Sequence, residues 1–387
     1  MNIVQVKDGI YAVGAVDWNV RSFHGYSTNR GSSYNAYLIM DEKITLLDTV
    51  KEPFSQELID RISEIVDPAK IDYLVSNHVE MDHSGGIPEL MKVAENATII
   101  TSSPSGLKGL QAHYGKNYKY QEVKAGDELS IGKRTLTFVS TPMLHWPDNM
   151  VTYCKEEKIL FSNDAFGQHL ASSKYFDDEV DFEVVLQEAI KYYANILMLY
   201  GAQTRKALEI VKGLDIDMIA PSHGIIYRSH VEDIIKAYEY YSNEIPDEKA
   251  IVVYDSMWHS TEKMAKAIFE GFAKKGIPAK FYDLKENHIS DIMTEILKAK
   301  YIAVGSPTLN NNMLPTVSAF LTYMKGLAPK NKKAFAFGSH GWGGQGSTLV
   351  NDELTACKFE IVLDPIKIAY VPTKEQLVEI ENKIAQL

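Results

Sequence analysis

Cysteine is scarce in this sequence: the 387 residues hold two, Cys154 and Cys357. That excludes a disulfide framework and fits a reducing compartment. With no pair of C-x-x-C motifs, the chain has no thiolate-bound iron or zinc centre of its own. Both cysteines are expected to be small buried hydrophobes. Long apolar runs are missing too. None approaches the roughly 20 residues that span a bilayer, so no membrane partner is expected. The segment Met1-Asn2-Ile3-Val4-Gln5-Val6-Lys7-Asp8 has neither a basic n-region nor an apolar h-region, and a cytoplasmic location is expected. Positive charge is short: 40 basic against 51 acidic residues give a net charge of −11. Nucleic-acid binding, which needs a basic footprint, is therefore not expected. Internal repeats and low-complexity tracts are absent.

What is present is ordinary for a globular chain, with 45% hydrophobic and 24% charged residues. The length suits two or three domains. The first half shows many short strand-like runs, among them 10–15, 36–40, 44–48, 73–76, 98–101, 135–140, 150–153 and 158–161. Helical patterns at 54–65, 87–93 and 182–198 lie between them. This mixture predicts a layered α/β sandwich. The grammar changes at Glu244-Ile245-Pro246-Asp247-Glu248-Lys249, a polar stretch that suits a linker. Beyond it, five apolar strands (250–254, 279–283, 301–305, 333–338 and 366–371) alternate with helices at 261–275, 289–298, 316–327, 346–356 and 374–386. Five βα units predict a doubly wound parallel sheet. The expected domains are 1–248 and 249–387.

The richest segment is His78-Val79-Glu80-Met81-Asp82-His83, with four candidate metal ligands in six residues. It follows an apolar strand-like run and precedes a Ser-Gly-Gly turn. His145, Asp164 and His223 each follow a further strand-like run. Four imidazoles and three carboxylates suffice for two metals with positions left open. Any one of these histidines alone would be better explained by a structural hydrogen bond. The full set at strand ends is not. His113, His169, His230, His259, His288 and His340 are not expected to ligate metal directly. Tyr192 and Tyr193 lie on a helix near the ligand segments and are expected to be core residues.

With Asp48 in Leu46-Leu47-Asp48-Thr49, the histidine-rich run resembles the metallo-β-lactamase fold, an αββα sandwich. Glu80, where that fold usually has histidine, resembles its flavodiiron branch. So does His24-Gly25-Tyr26-Ser27-Thr28-Asn29-Arg30-Gly31 followed by Tyr34-Asn35-Ala36-Tyr37-Leu38. The resemblance implies that His78, Glu80 and His145 hold one iron, Asp82, His83 and His223 the other, and that Asp164 bridges them. His24, Tyr26 and His169 would stand behind these ligands. Hard anionic oxygen ligands stabilise higher oxidation states, so three carboxylates favour a redox-active iron pair. A zinc hydrolase fused to a flavodoxin-like module, needing only a Lewis acid, is the alternative.

The second half opens with the strand 251–255 and then Ser256-Met257-Trp258-His259-Ser260-Thr261 before a helix. A hydroxyl-rich loop at a helix N-terminus is a phosphate cradle. No Walker lysine follows, so a nucleoside triphosphate is not favoured. The position resembles the phosphate loop of flavodoxins. Two more loops follow the third and fourth strands: Ser306-Pro307-Thr308-Leu309-Asn310-Asn311 and Ser339-His340-Gly341-Trp342-Gly343-Gly344. Ligands of doubly wound sheets bind at these carboxyl ends. The resemblance places the isoalloxazine of FMN there, with Trp342 as a stacking partner. Gly341-Trp342-Gly343-Gly344-Gln345-Gly346 satisfies G-x-G-x-x-G, but it follows the fourth strand rather than the first, and NAD is not expected.

The resemblance spans essentially the whole chain. It implies a reductase of dioxygen to water, of nitric oxide to nitrous oxide, or of both, with electrons passing from a donor through FMN to two irons. It also implies a head-to-tail homodimer, or a dimer of such dimers. A fused rubredoxin needs four cysteines, so the donor is expected to be external, a separate rubredoxin or a reduced deazaflavin. The sequence does not discriminate between the two gases.

Overall fold

Strands such as Tyr37–Ile39 (YLI) and Thr45–Leu47 (TLL) have no polar face, so both sides of their sheet must be covered. The computed structural model describes residues 3–387 and shows how this is met. The chain divides into two units. The first runs to Tyr192 and resumes over Ala202–Ser242; the second comprises Tyr193–Gly201 and Asn243–Leu387.

Among the described residues of the first unit, one sheet has seven strands in chain order: β1 (Val4–Lys7), β2 (Ile10–Ala12), β3 (Tyr37–Ile39), β4 (Thr45–Leu47), β5 (Tyr73–Ser76), β6 (Thr98–Ser102) and β7 (Lys119–Val123). The pairs β1 to β4 are antiparallel and β4 to β7 parallel. A second sheet orders β8 (Glu128–Ser130), β9 (Thr135–Ser140), β10 (Met150–Cys154), β11 (Ile159–Asn163) and β12 (Met218–Pro221). Only its last pair, β11 with β12, is parallel.

The period-two alternation of strands sorts their side chains. Tyr37, Ile39, Leu47, Val75 and Ile100 meet Leu136, Phe138, Met150, Ile159 and Phe161 between the sheets. Their neighbours Leu38, Leu46, Leu74 and Ile99 turn the other way, onto Leu58 and Ile62 of α1 (Ser55–Ile65), Leu90 of α3 (Ile87–Val93) and Leu110 of α4 (Ser105–Tyr114). A one-turn helix α2 (Met81–Ser84) precedes α3. After α5 (Phe182–Tyr192) come α6 (Gly201–Val211) and α7 (Val231–Ser242). Residues of α6 and α7 face Val139, Val151 and Leu160 on the outer side of the second sheet. The result is the expected αββα sandwich.

In the second unit, six parallel strands are described: β13 (Asp247–Tyr254), β14 (Ala279–Asp283), β15 (Ala299–Gly305), β16 (Lys333–His340), β17 (Glu360–Ile361) and β18 (Ile366–Ala369). The order is β14-β13-β15-β16, with β17 and β18 both on β16. On one face Ala250, Val252, Phe335 and Phe337 pack with α8 (Ser260–Lys275) and α12 (Lys374–Ala385) through Met264, Ile268, Phe272 and Ile384. Ile251, Val253 and Ile302, which point the other way, are fully buried as well. Cover on that side comes from α9 (Ile289–Ile296), α10 (Pro315–Leu327) and α11 (Gln345–Ala356). This is the doubly wound parallel sheet the alternation predicted.

Three local expectations needed correction. The helix expected over 182–198 ends as an α-helix at Tyr192 and continues as a wider π-turn, Tyr193–Leu197. The strand expected over 10–15 breaks after Ala12, because at Gly14 a side chain would collide with the backbone of Tyr34 and Asn35. The last strand, expected over 366–371, ends at Ala369, where Tyr370 turns into left-handed backbone (φ 58°). Both cysteines are free, Cys154 buried and Cys357 half-buried. No helix among the described residues is long and apolar enough to cross a membrane.

Lys332, at the foot of β16, is buried and donates to Leu297 O (2.9 Å) and Ala299 O (2.7 Å). Burial, reinforced by the nearby Lys298 charge, depresses its pKa to about 7. The unfolded chain therefore binds one more proton between about pH 7 and the ordinary lysine value, and stability rises with pH across that window. In chemical denaturation of the full chain, Lys332→Met should remove this rise. An unchanged pH profile would contradict a neutral buried lysine.

Candidate functional site

All seven candidate ligands converge, each at the carboxyl end of a strand or in the loop that follows. His78 and Glu80 come after β5, and Asp82 and His83 lie on α2. His145 follows β9, Asp164 follows β11 and His223 follows β12. Their donor atoms form two groups, His78–Glu80–His145–Asp164 and Asp82–His83–His223, with atoms of each group within 4.8 Å of one another.

Asp164 joins the groups. Its Oδ2 lies 3.8 Å from His78 Nε2 and 3.5 Å from His145 Nε2, whereas Oδ1 lies 3.0 Å from His83 Nε2 and 3.4 Å from His223 Nε2. Glu80 Oε2 faces His78 Nε2 at 3.3 Å and His145 Nε2 at 3.1 Å. Asp82 Oδ2 faces His223 Nε2 at 3.1 Å and His83 Nε2 at 3.4 Å.

These approaches are short, yet several are not hydrogen bonds. Among the described residues, both oxygens of Asp82, both nitrogens of His83 and Asp164 Oδ2 are buried without a hydrogen-bond partner. Unpaired buried carboxylates are costly. Lone pairs that crowd together without bonding one another suit a shared cation, so the donor set fits a metal pair. The electrostatics agree. Burial opposes charge on the imidazoles, but the surrounding carboxylates more than offset it, holding His145 at about 9 and His223 at about 10. Burial likewise opposes the Asp82 and Asp164 anions, and the imidazoles outweigh it.

Ring orientation is fixed from behind. His78 Nδ1 donates to Asp148 Oδ2 (2.8 Å), which also accepts Val79 N–H (2.8 Å). His223 Nδ1 donates to Ser33 O (2.6 Å). Each bond leaves Nε2 free to face the centre. Gly224 follows His223 with a φ of +78°, and a Cβ there would overlap Gln168.

Beneath the ligands lies Asp48. Its Oδ1 accepts Asn77 N–H (2.8 Å); Oδ2 accepts Asn77 Nδ2 (3.0 Å), Asn163 Nδ2 (3.2 Å) and Ser222 Oγ (3.3 Å). Those three residues immediately precede His78, Asp164 and His223. Thr49 Oγ1 donates to the carbonyl of His83 (2.6 Å).

Of the residues expected behind the ligands, His24 Nε2 lies 2.6 Å from Glu80 Oε1. His169 is buried, bonds Ser32 Oγ through Nδ1 (2.6 Å) and lies edge-on to the His223 ring at 4.7 Å between centroids. Burial, helped by the His223 charge, keeps it neutral. Tyr26 lies against His169, at 5.4 Å between rings. Tyr192 is buried and reaches the same cluster, 5.2 Å from His169. Sequence reasoning missed Asp148 and Ser33. The signal for Asp148 was its position three residues after His145.

In the second unit the three expected loops meet at the carboxyl ends of β13, β15 and β16. Thr261 Oγ1 and Ser339 Oγ are 2.9 Å apart, and Gly346 N–H donates to Thr308 Oγ1 (3.1 Å). His259, Asn310 and Asn311 adopt left-handed backbone, turning the loops tightly. Two clefts open here. One of about 260 Å³ is lined by Met257, Trp258, Ser260, Pro307, Thr308, Ser339, His340 and Gly341. The other, about 530 Å³, is lined by Met257, Trp258, Thr308, Leu309, Asn310, Asn311, Gly341, Trp342 and Gly343. Ser256 and Thr261 are buried at the base of the first loop, and Gly344 caps α11. Tyr370 and Val371 also line the first cleft, which sequence reasoning missed. Trp258 (85% exposed) and Trp342 (92%) stand at the rim with their rings exposed, Trp342 being the residue expected to stack on the flavin. His340 Nδ1 is buried and unpaired among the described residues. The loops fit a flavin mononucleotide.

Residues 33–224 match the family described as ODP family beta lactamase, and residues 252–383 match flavodoxin. The chain is 47% identical to the nitric oxide reductase of Moorella thermoacetica, covering 99% of this chain and 98% of that protein. It is 44% identical to the rubredoxin-oxygen oxidoreductase of Megalodesulfovibrio gigas, covering 100% and 98%. The crystal structure of the flavodiiron protein from Giardia intestinalis superimposes with a TM-score of 0.96 at 38% identity, over 100% of this chain and 96% of that one. The chain belongs to the flavodiiron protein family. The cofactors of this flavodiiron protein are a diiron centre and FMN.

Removing the Asp48 carboxylate strands four donors in three ligand-bearing loops. Asp48→Ala in this flavodiiron protein should cost about 3 kcal/mol or more in unfolding free energy and lower metal retention together. Native stability with full metal content would show that the loops hold without it.

Proposed function

We propose that the protein is a flavodiiron oxidoreductase that reduces dioxygen to water, nitric oxide to nitrous oxide, or both. The observation that carries this is Asp164, whose two oxygens face two separate ligand groups, one of which holds Glu80 in place of an imidazole. In this reading His78, Glu80 and His145 hold one iron, Asp82, His83 and His223 the other, and Asp164 bridges. The loops Ser256–Thr261, Ser306–Asn311 and Ser339–Gly344 hold FMN. Relatives are named for nitric oxide reduction and for rubredoxin-dependent oxygen reduction, which supports the activity and a rubredoxin-type donor.

When bound, two ferrous irons and a fully reduced FMN supply two electrons each. Dioxygen takes four electrons and four protons to two waters; two nitric oxides take two electrons and two protons to nitrous oxide and one water. The protein's own residues position and insulate. Asp148 and Ser33 fix the tautomers of His78 and His223 so that Nε2 meets the metal. The His24 imidazole clamps the Glu80 carboxylate at Oε1, leaving Oε2 inward, and sits at the exposed rim where a proton can be delivered. His169, held neutral, adds no repelling charge beside His223. The flavin loops and metal centre lie on different units, and electron transfer weakens steeply with distance. A head-to-tail homodimer or a dimer of such dimers, in a cytoplasmic setting, is part of the proposal.

Two measurements test it. Protein reduced anaerobically and mixed with each gas should consume at least one, giving water without peroxide or nitrous oxide. Flavin reoxidation that releases peroxide, with neither gas reduced fully, would contradict the reading. Glu80→His should lower iron occupancy and cut turnover by more than about tenfold. Full iron with unchanged turnover would remove Glu80 from its assigned role.

A further inference from the structure

A cavity of about 20 Å³ lies within the first unit, between the outer face of the second sheet and helices α6 and α7. Val139, Val151 and Leu160 form its floor, and Ala207, Leu208 and Val211 its roof. The hydroxyls on its wall belong to Thr141, Thr204 and Tyr238, and Tyr238 Oη already accepts Phe166 N–H at 2.9 Å. Such a space is large enough for one small guest, and almost all of the surface it presents is apolar because the hydroxyls contribute next to none of it, so a water there would lack the two to four polar partners it needs. An apolar guest has no hydrogen bonds to lose and gains by leaving water.

Position adds the functional link. Leu144 and Ala165 line the cavity, and they are the immediate chain neighbours of His145 and Asp164. The wall also reaches outward. Ile210 is 45% exposed, whereas Leu144 and Phe166 are each 3% exposed. The cavity thus lies between the surface at α6 and two ligand loops.

We propose that this cavity binds a small apolar diatomic gas, holding it behind His145 and Asp164. The inference rests on the gas-reductase reading for the identity of the guest, and on the lining alone for its apolar character. Dioxygen and nitric oxide share the required chemistry.

Crystals of the holoprotein pressurised with xenon test the site directly. One xenon peak bounded by Leu144, Leu160 and Ala207 is expected. Ordered water in that position, or no xenon, would overturn the proposal, and this result needs no variant to fold. Ala207→Phe should abolish the xenon peak and slow, several-fold, the reaction of prereduced holoprotein with subsaturating dioxygen and nitric oxide, each mixed separately. The exposed Glu209→Ala on the same helix should do neither. Loss of xenon with both gas reactions unslowed would overturn the link to substrate. Xenon bound in a protein that reacts with neither gas would instead refute the reductase reading and leave the apolar binding site supported.

Discussion

The carboxylate of Asp48 is the constraint on which the metal centre depends. Ligands arrive from distant parts of the chain, and each sits on a loop that could adopt other paths. Asp48 binds the residue before His78, the residue before Asp164 and the residue before His223, while its neighbour Thr49 holds the carbonyl of His83. One buried carboxylate thereby sets the spacing of three candidate ligands, and its neighbour Thr49 that of a fourth. Its own position is set by β4, whose end it caps in a left-handed conformation, φ 56°. Burial raises its pKa, and the surrounding donors act against that rise.

The same logic continues outward. Strands β4, β5, β11 and β12 are apolar on both faces because they lie inside the sandwich, so only their ends can carry polar chemistry. Polar side chains gathered there meet low dielectric and few waters. Carboxylates and imidazoles then neutralise one another, or a cation replaces the protons. Asp148 and Ser33 close the arrangement by using the outer nitrogens of His78 and His223. In the second unit the corresponding constraint is the parallel sheet, whose carboxyl edge brings three loops of different chain position to one place.

The two folds and the set of seven candidate ligands that converge were legible in the sequence for physical reasons. Strand periodicity, βα alternation and side-chain metal chemistry are local properties, and Glu80 is informative by its residue type alone. The roles of Asp148 and Ser33 were not legible, because each acts through a partner remote in sequence: Asp148 is 70 residues from His78, and Ser33 190 from His223. The change at Tyr192 from α-helix to a wider turn was invisible for a related reason. The run 182–198 has no glycine or proline to mark a break, and the segment Tyr193–Gly201 groups with the other unit. Tyr370 and Val371 belong to the flavin cleft because they follow the end of β18, which pairs with β16 beside Ser339 and His340, a position periodicity alone does not mark.

The central claim is that this donor set holds two redox-active irons in electronic contact, served by one flavin. Mössbauer spectroscopy of iron-57-enriched protein, combined with flavin quantitation, tests it most directly. The account predicts a diiron centre whose two irons are magnetically coupled when oxidised, with one FMN per chain. Zinc in place of iron, or iron present only as isolated uncoupled ions, would contradict it.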